Sequence, residues 1–346
     1  MGRWKHCSTT PFLQHFKTPT LPCPVPPVSV ACHAMATRFE IVLHGDNPAA
    51  LRAAGEEALG LVEQLEAQLS LFKASSEIAH LNARAAKGPV RITPDLFALL
   101  QQAQRLCEES RGAFDITVAP LVQCWGYEGG NGRLPRPEEV AKARANVGMA
   151  LVQLNPADLT VQFLREGVML NLGAIGKGYA VERAAEVLRE AGVTSALIHG
   201  GTSSVQALGT PPGEEFWKIA IEKPSPVPDA PPTLLATVPL KDEAMGVSGV
   251  WGNSFQVGGR TYGHIIDPRT GEPALGTVLA AVVLSSATET DALSTALLTV
   301  GAAGHDAIAN LRPGMKTLVV SESGGELQIE AKGIEVRAAA QLPPGR

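Results

Sequence analysis

The sequence predicts an α+β fold, antiparallel sheets with helices packed on their faces. Strand-like runs in the second half are joined by short glycine turns, the pattern of hairpins. Long stretches of helical spacing lie among them, and no internal repeat or parallel doubly wound order is visible. With 346 residues, 45% of them hydrophobic and 18% charged, the chain can bury one large core or two modest ones.

The elements follow in order. Residues 1–34 carry Arg3, Lys5 and Lys17, no acid and the proline-rich "TPTLPCPVPPVSV", so a disordered N-terminal arm is expected before a domain spanning 35–340. "ATRFEIVLHG" alternates and reads as a strand. Asn47 and Pro48 then cap a helix with Leu51, Ala58, Val62, Leu65 and Leu69 on one face. Thr93 and Pro94 open a second helix, which Gly112 closes, and a third runs from about Ile175 to Ala191 before Gly192. Strands are expected in "SALIH", "WKIAIEK", "FQVGGRTYGHII" with Gly258 and Gly259 at its turn, "TVLAAVVLSS" and "KTLVVSESGGELQIE". "KPSPVPDAPPT" (223–233) reads as a loop. "SATETDALSTALLTVG" has Leu293, Ala296, Leu297 and Val300 on an apolar stripe, hence a buried helix.

Several functions are excluded by composition and spacing. A net charge of −5 without a basic stripe argues against nucleic acid. Five cysteines with no C-x-x-C pair give neither a disulfide framework nor a zinc knuckle. No apolar run has transmembrane length, and none near the N-terminus suits a signal peptide or a lipobox. A cytoplasmic location is therefore expected, with an exported protein whose start lies elsewhere as the alternative. "GAIGKG" lacks the Walker spacing, and "GVSGV" around Ser248 has Val250 where a nucleophile elbow needs glycine.

What remains is a set of polar loops at element ends. Asp115 in "GAFDITVAPLVQCWG" suits a turn or cap as well as a ligand. "NLGAIGKGYAVERAAEVL" runs a glycine loop into a helix, where backbone N–H groups and Lys177 suit a phosphate, or the glycines serve close packing. "TYGHIIDPRTG" places His264 and Asp267 where a strand exits into a turn; a structural histidine and an ordinary Asp-Pro turn explain them too. Asp291 and Thr295, four apart on a helix, direct hard oxygens to one side, suited to Mg²⁺ or Ca²⁺, or else to a capping acid and a back-bonded threonine.

These blocks, together with "HAMATRFEI", "LSLFKASSEIAHLN", "ALIHGGTSSVQALG", "VSGVWGNSF", "YGHIIDPRTGEP" and "TETDALSTALLTVG", occur in the order found in one family, and over residues 34–335 the chain resembles the ApbE family of FAD:protein FMN transferases. The resemblance implies a T-fold-like ApbE architecture and transfer of FMN from FAD to a Thr or Ser of an acceptor protein, with release of AMP and dependence on Mg²⁺ or another divalent cation. It places Met35, Phe72, Ala113, Phe114, Asp115, Asn171, Lys177, Ser248 and Ile266 at the cofactor. Ala174, through its carbonyl, Asp291 and Thr295 are placed at the metal, and His264 is the expected general base with Asp267 as its orienter or an alternative base. Asn171 stands where the family commonly has Asp, and Ala36 where it has Gly. Two other functions fit the same residues: a Mg²⁺-dependent FAD pyrophosphatase giving FMN and AMP, and a non-catalytic FAD-binding or delivery protein. The expected partners are FAD and an acceptor protein, with no nucleic acid and no membrane span.

Overall fold

The computed structural model describes residues 26–129, 132–223, 232–250, 254–258, 260–323 and 326–336. The arm before residue 26, most of the proline-rich loop, residues 251–253 and Gly259 lie outside them. The chain opens with β1 (Val28–Ala34), β2 (Thr37–Leu43), α1 (Pro48–Leu69), α2 (Glu77–Arg84), β3 (Val90–Arg91) and α3 (Pro94–Glu109). There follow α4 (Ala119–Cys124), α5 (Pro137–Arg144), β4 (Val152–Asn155), β5 (Thr160–Phe163), α6 (Gly176–Glu190), β6 (Ala196–Gly200) and β7 (Ser204–Leu208). The remainder comprises β8 (Trp217–Lys223), β9 (Thr233–Leu240), β10 (Ala244–Gly249), β11 (Ser254–Val257), β12 (Arg260–Gly263), β13 (Thr277–Leu284), α7 (Ala287–Val300), α8 (His305–Ala309), β14 (Lys316–Ser323) and β15 (Glu326–Lys332).

Eight strands form one sheet in the order β1-β2-β6-β7-β10-β13-β14-β15, every pairing antiparallel. On one face, Ile41, Ile198, Leu208 and Val282 join a core with Leu51, Val62, Leu96, Val181 and Leu293 of the helices. On the other, Leu197, Val205, Met245 and Val283 meet Ile219, Ile221, Val238 and Leu240 of the β8–β9 hairpin. The middle of the sheet is thus covered twice, which is why β13 reads as the unbroken apolar run "TVLAAVVL" and not as an alternation. Each fully buried Val, Leu or Ile contributes roughly 1.5–3 kcal/mol through removal from water. That favours placing such a strand in the centre and leaving the alternating β15 at an edge.

The N-terminal boundary differs from expectation. Val28–Ala34 is not part of a disordered arm but pairs with β2 along its whole length, from Val28 opposite Leu43 to Ala34 opposite Thr37. "VSVACHA" buries Val28, Val30 and Ala34, an alternation masked in the sequence by the prolines just before it. The turn between β1 and β2 uses Met35 (φ 50°) and Ala36 (φ 59°), both in left-handed backbone that L-residues adopt at a cost.

Candidate functional site

The quoted blocks, far apart in sequence, interlock at the first turns of α6 and α7. The α7 helix begins at Ser286, whose hydroxyl accepts the Glu289 amide, while Glu182 of α6 accepts from Ser286 Oγ and the Thr288 amide, each at 2.7 Å. Glu289 is turned away from the site by Arg105 (3.0 Å) and Arg312 (2.9 Å). Asp291, one turn in and 3% exposed, faces the start of α6 instead.

There the Gly178 amide donates to Asp291 Oδ2 at 2.9 Å. Gly178 lies in the first turn of α6, where an α-helix leaves its amides without a helical acceptor, and the Asp291 carboxylate supplies that partner from the neighbouring helix. A Cβ on residue 178 would lie 2.2 Å from the Ala287 carbonyl oxygen, so only glycine permits this approach. The glycine loop therefore serves close packing, and through it brings a carboxylate to a helix N-terminus, where the dipole favours negative charge. Asn171 shapes the loop: its backbone N–H donates to Ile116 O (2.7 Å) and its side-chain Oδ1 accepts the Gly173 backbone N–H (2.8 Å). Aspartate would make the same Oδ1 contact, so the loop's form does not need the missing charge. Lys177 Nζ reaches Gly173 O at 3.2 Å.

Thr295 lies on the Asp291 side of α7, its Oγ1 3.3 Å from Asp291 O and 3.0 Å from Ser248 Oγ. Ser248 also meets Ser294 Oγ at 2.9 Å, and Ser294, fully buried, donates to Asp291 O. Ser248 and Thr295 are thus in contact, and Thr295 is bonded back to the Asp291 carbonyl, as the back-bonded alternative for this residue has it. Ser294 was not foreseen; its only signal is its place beside Thr295 in "LSTALL", where it resembles any small core residue.

The "GAFDITV" block plays a supporting part. Ala113 and Phe114 are each 1% exposed, and Asp115 is buried. Its Oδ1 accepts from the Thr117 amide (2.8 Å) and hydroxyl (2.6 Å), and its Oδ2 from the Met149 amide (3.1 Å) and Cys107 Sγ (3.4 Å). Burial first, and Asp115 second, hold the Cys107 thiol far above its ordinary range, so it stays an S–H donor. Asp115 therefore works as the turn residue that composition allowed.

His264 is half-buried just beyond β12, with the Tyr127 ring edge-on at 6.4 Å between centroids. Arg269 occupies the Asp267 carboxylate in a bidentate pair, Nε to Oδ1 at 2.8 Å and Nη2 to Oδ2 at 2.7 Å. Ile266 is buried with Trp125 and Tyr127 in a small separate core. Met35, half-buried, donates its amide to Glu66 at 2.9 Å, and Phe72, in the loop after α1, is 75% exposed.

Asp291, Thr295 and the Ala174 carbonyl offer hard oxygens only, with a single carboxylate. Among the described residues no group of three or more His, Cys, Asp or Glu could hold a metal, which argues against a zinc-type centre. The donor set fits a cation such as Mg²⁺, which takes one or two carboxylates and completes its shell with phosphate and water.

This fold is that of the flavin transferases. It is similar to the crystal structure of the flavinyl transferase ApbE of Pseudomonas stutzeri, with a TM-score of 0.77 and 28% identity over 89% of this chain and 95% of that one. It is also similar to the flavin transferase ApbE from Vibrio cholerae, at a TM-score of 0.75 and 26% identity over 89% and 98%. The ApbE family model matches residues 35–319, and the chain belongs to the ApbE family. Among curated relatives, the FAD:protein FMN transferase of Treponema pallidum is 30% identical over 83% of this chain and 82% of its own. That of Haemophilus influenzae is 29% identical over 79% and 81%.

Proposed function

We propose that this chain transfers FMN from FAD to a Thr or Ser hydroxyl of an acceptor protein and releases AMP, with a divalent cation held by Asp291, Thr295 and the Ala174 carbonyl. The observation that supports the metal assignment is the Gly178 amide on Asp291 Oδ2, which holds a carboxylate at the first turn of α6, just after the loop that carries Ala174. When bound, such a cation supplies positive charge to the pyrophosphate oxygens, where phosphoryl transfer needs it.

The protein's own groups account for the rest. The N-terminus of α6 and Lys177 favour the diphosphate electrostatically. His264 accepts the proton of the acceptor hydroxyl as its oxygen forms the new bond to the phosphorus on the riboflavin side. The bond from that phosphorus to the bridging oxygen breaks, and AMP departs with the electron pair. Arg269 pairs with Asp267 and so ties the turn that follows His264. Family membership supports the transferase over hydrolysis or mere binding, and the Asn171 contact to Gly173 supports an intact loop.

The test is incubation of the purified protein with FAD, Mg²⁺ and an acceptor domain bearing an exposed Thr, following AMP and flavin fluorescence on the acceptor. AMP with a fluorescent acceptor is the expected result. AMP with free FMN in place of the adduct would instead make the protein a pyrophosphatase, and bound, unchanged FAD a carrier. No helix among the described residues is long and apolar enough to cross a membrane.

A further inference from the structure

Tyr127 has no part in the reading above, yet its hydroxyl is spent on the backbone that carries His264. The side chain is buried, 7% exposed, and its Oη lies 2.7 Å from Gly263 O and 3.0 Å from Tyr262 O. The Gly263 carbonyl belongs to the peptide unit whose nitrogen is that of His264. Fixing that oxygen fixes the plane from which the histidine side chain departs, since only two soft torsions per residue remain. From the other side the same glycine is pressed by Val250: a Cβ there would lie 3.0 Å from Val250 Cβ and Cγ1. The residue before His264 is thus held between a hydroxyl and a valine, and the Tyr127 ring meets the imidazole edge-on.

Two neighbouring features strengthen the point. Trp125, two residues earlier, donates its indole N–H to Gly271 O at 2.8 Å, so the "WGY" segment grips the stretch 262–271 at both ends. Burial pushes the Tyr127 phenol up to about 12, so it remains a donor across any working pH.

We infer that Tyr127 is a positioning residue for His264, setting the imidazole where it meets the acceptor hydroxyl; this rests on the reading of His264 as the base. One phenolic proton shared by two carbonyls is a backbone anchor, and misplacing a reacting group by about an ångström lowers rates by up to roughly a hundredfold.

The test is a double-mutant cycle on the full chain with FAD, Mg²⁺ and acceptor. Tyr127→Phe keeps the ring against Phe255 (5.9 Å) and His264 and removes only the hydroxyl. We expect kcat to fall about tenfold or more, KM for FAD to stay within about twofold, and the histidine limb of the pH–rate profile to move. In a His264→Ala background the same change should leave the residual rate unaltered. Phe255→Leu, which loosens the same aromatic cluster, controls for general destabilisation and should cost stability without moving the pH profile. Equal rate losses in both backgrounds would overturn the positioning role. A normal Tyr127→Phe rate beside a crippled His264→Ala enzyme would overturn it alone, whereas a normal His264→Ala rate would remove the base and this role together.

Discussion

Gly178→Ala sets two effects of opposite sign against each other. Inside a helix, alanine is favoured over glycine by about 0.8–1 kcal/mol, so on propensity alone the variant should be more stable. The new methyl, however, would sit 2.2 Å from the Ala287 carbonyl oxygen and 2.6 Å from Asp291 Cβ. Neither atom is the end of a flexible side chain, so α6 and α7 must separate. Overpacking of this kind costs about 1–3 kcal/mol, and loosening an amide bond to a carboxylate costs about 1.5–3 more. The net loss is roughly 1.5–5 kcal/mol, or about 3–20 °C in Tm at about 2–4 °C per kcal/mol. Gly60 is the control: it lies within α1, a Cβ there would meet nothing within 4 Å, and Gly60→Ala should gain about 0.5–1 kcal/mol. Calorimetry of both variants, with a Mg²⁺ titration of AMP release, reads the outcome. A Gly178→Ala protein that melts at or above the parent with unchanged Mg²⁺ dependence would refute the contact between the helices as described.

Two further variants probe the fold. Ala36→Gly relieves a left-handed alanine at the β1–β2 turn and should raise stability by about 0.5–1 kcal/mol, seen as a higher midpoint in urea; a lower midpoint would contradict it. Burial lowers the values of His199 and His305 below the ordinary 6.5, so near pH 6 the unfolded chain binds more protons than the folded one. Their contribution is complete above pH 6.5 and is lost as pH falls through the folded values, so Tm should decline as the pH is lowered below about 6.5. His199→Gln with His305→Gln should flatten that decline, and a Tm that rises on acidification would contradict the sign.

The sequence carried what is local. Asn47 caps α1 by accepting the Ala50 amide, Gly192 follows α6 at φ 79°, and Asp291 and Thr295 share a side of α7, as their spacing required. What it could not carry depends on distant partners. Residue type does not separate Glu289 from Asp291; what does is Arg312 and Arg105, the latter 184 residues away, which both bond Glu289. The bidentate pair of Asp267 with the planar Arg269 fork two residues on was likewise not read from the spacing. The small sheet β3-β5-β4 escaped notice because strands of two to four residues show no period. Tyr127 escaped because a hydroxyl on backbone carbonyls leaves no mark in residue types.

Asp291→Asn tests the central claim most directly. The amide keeps an oxygen for the Gly178 N–H but removes the charge that the α6 N-terminus favours, so the fold should persist with Tm lowered by a few degrees, about 1–2 kcal/mol. Measured as flavin appearing on the acceptor across a Mg²⁺ titration, transfer should fall on the order of a hundredfold, with half-saturation moved to higher Mg²⁺. Transfer at the parental rate with the parental Mg²⁺ requirement would contradict the account.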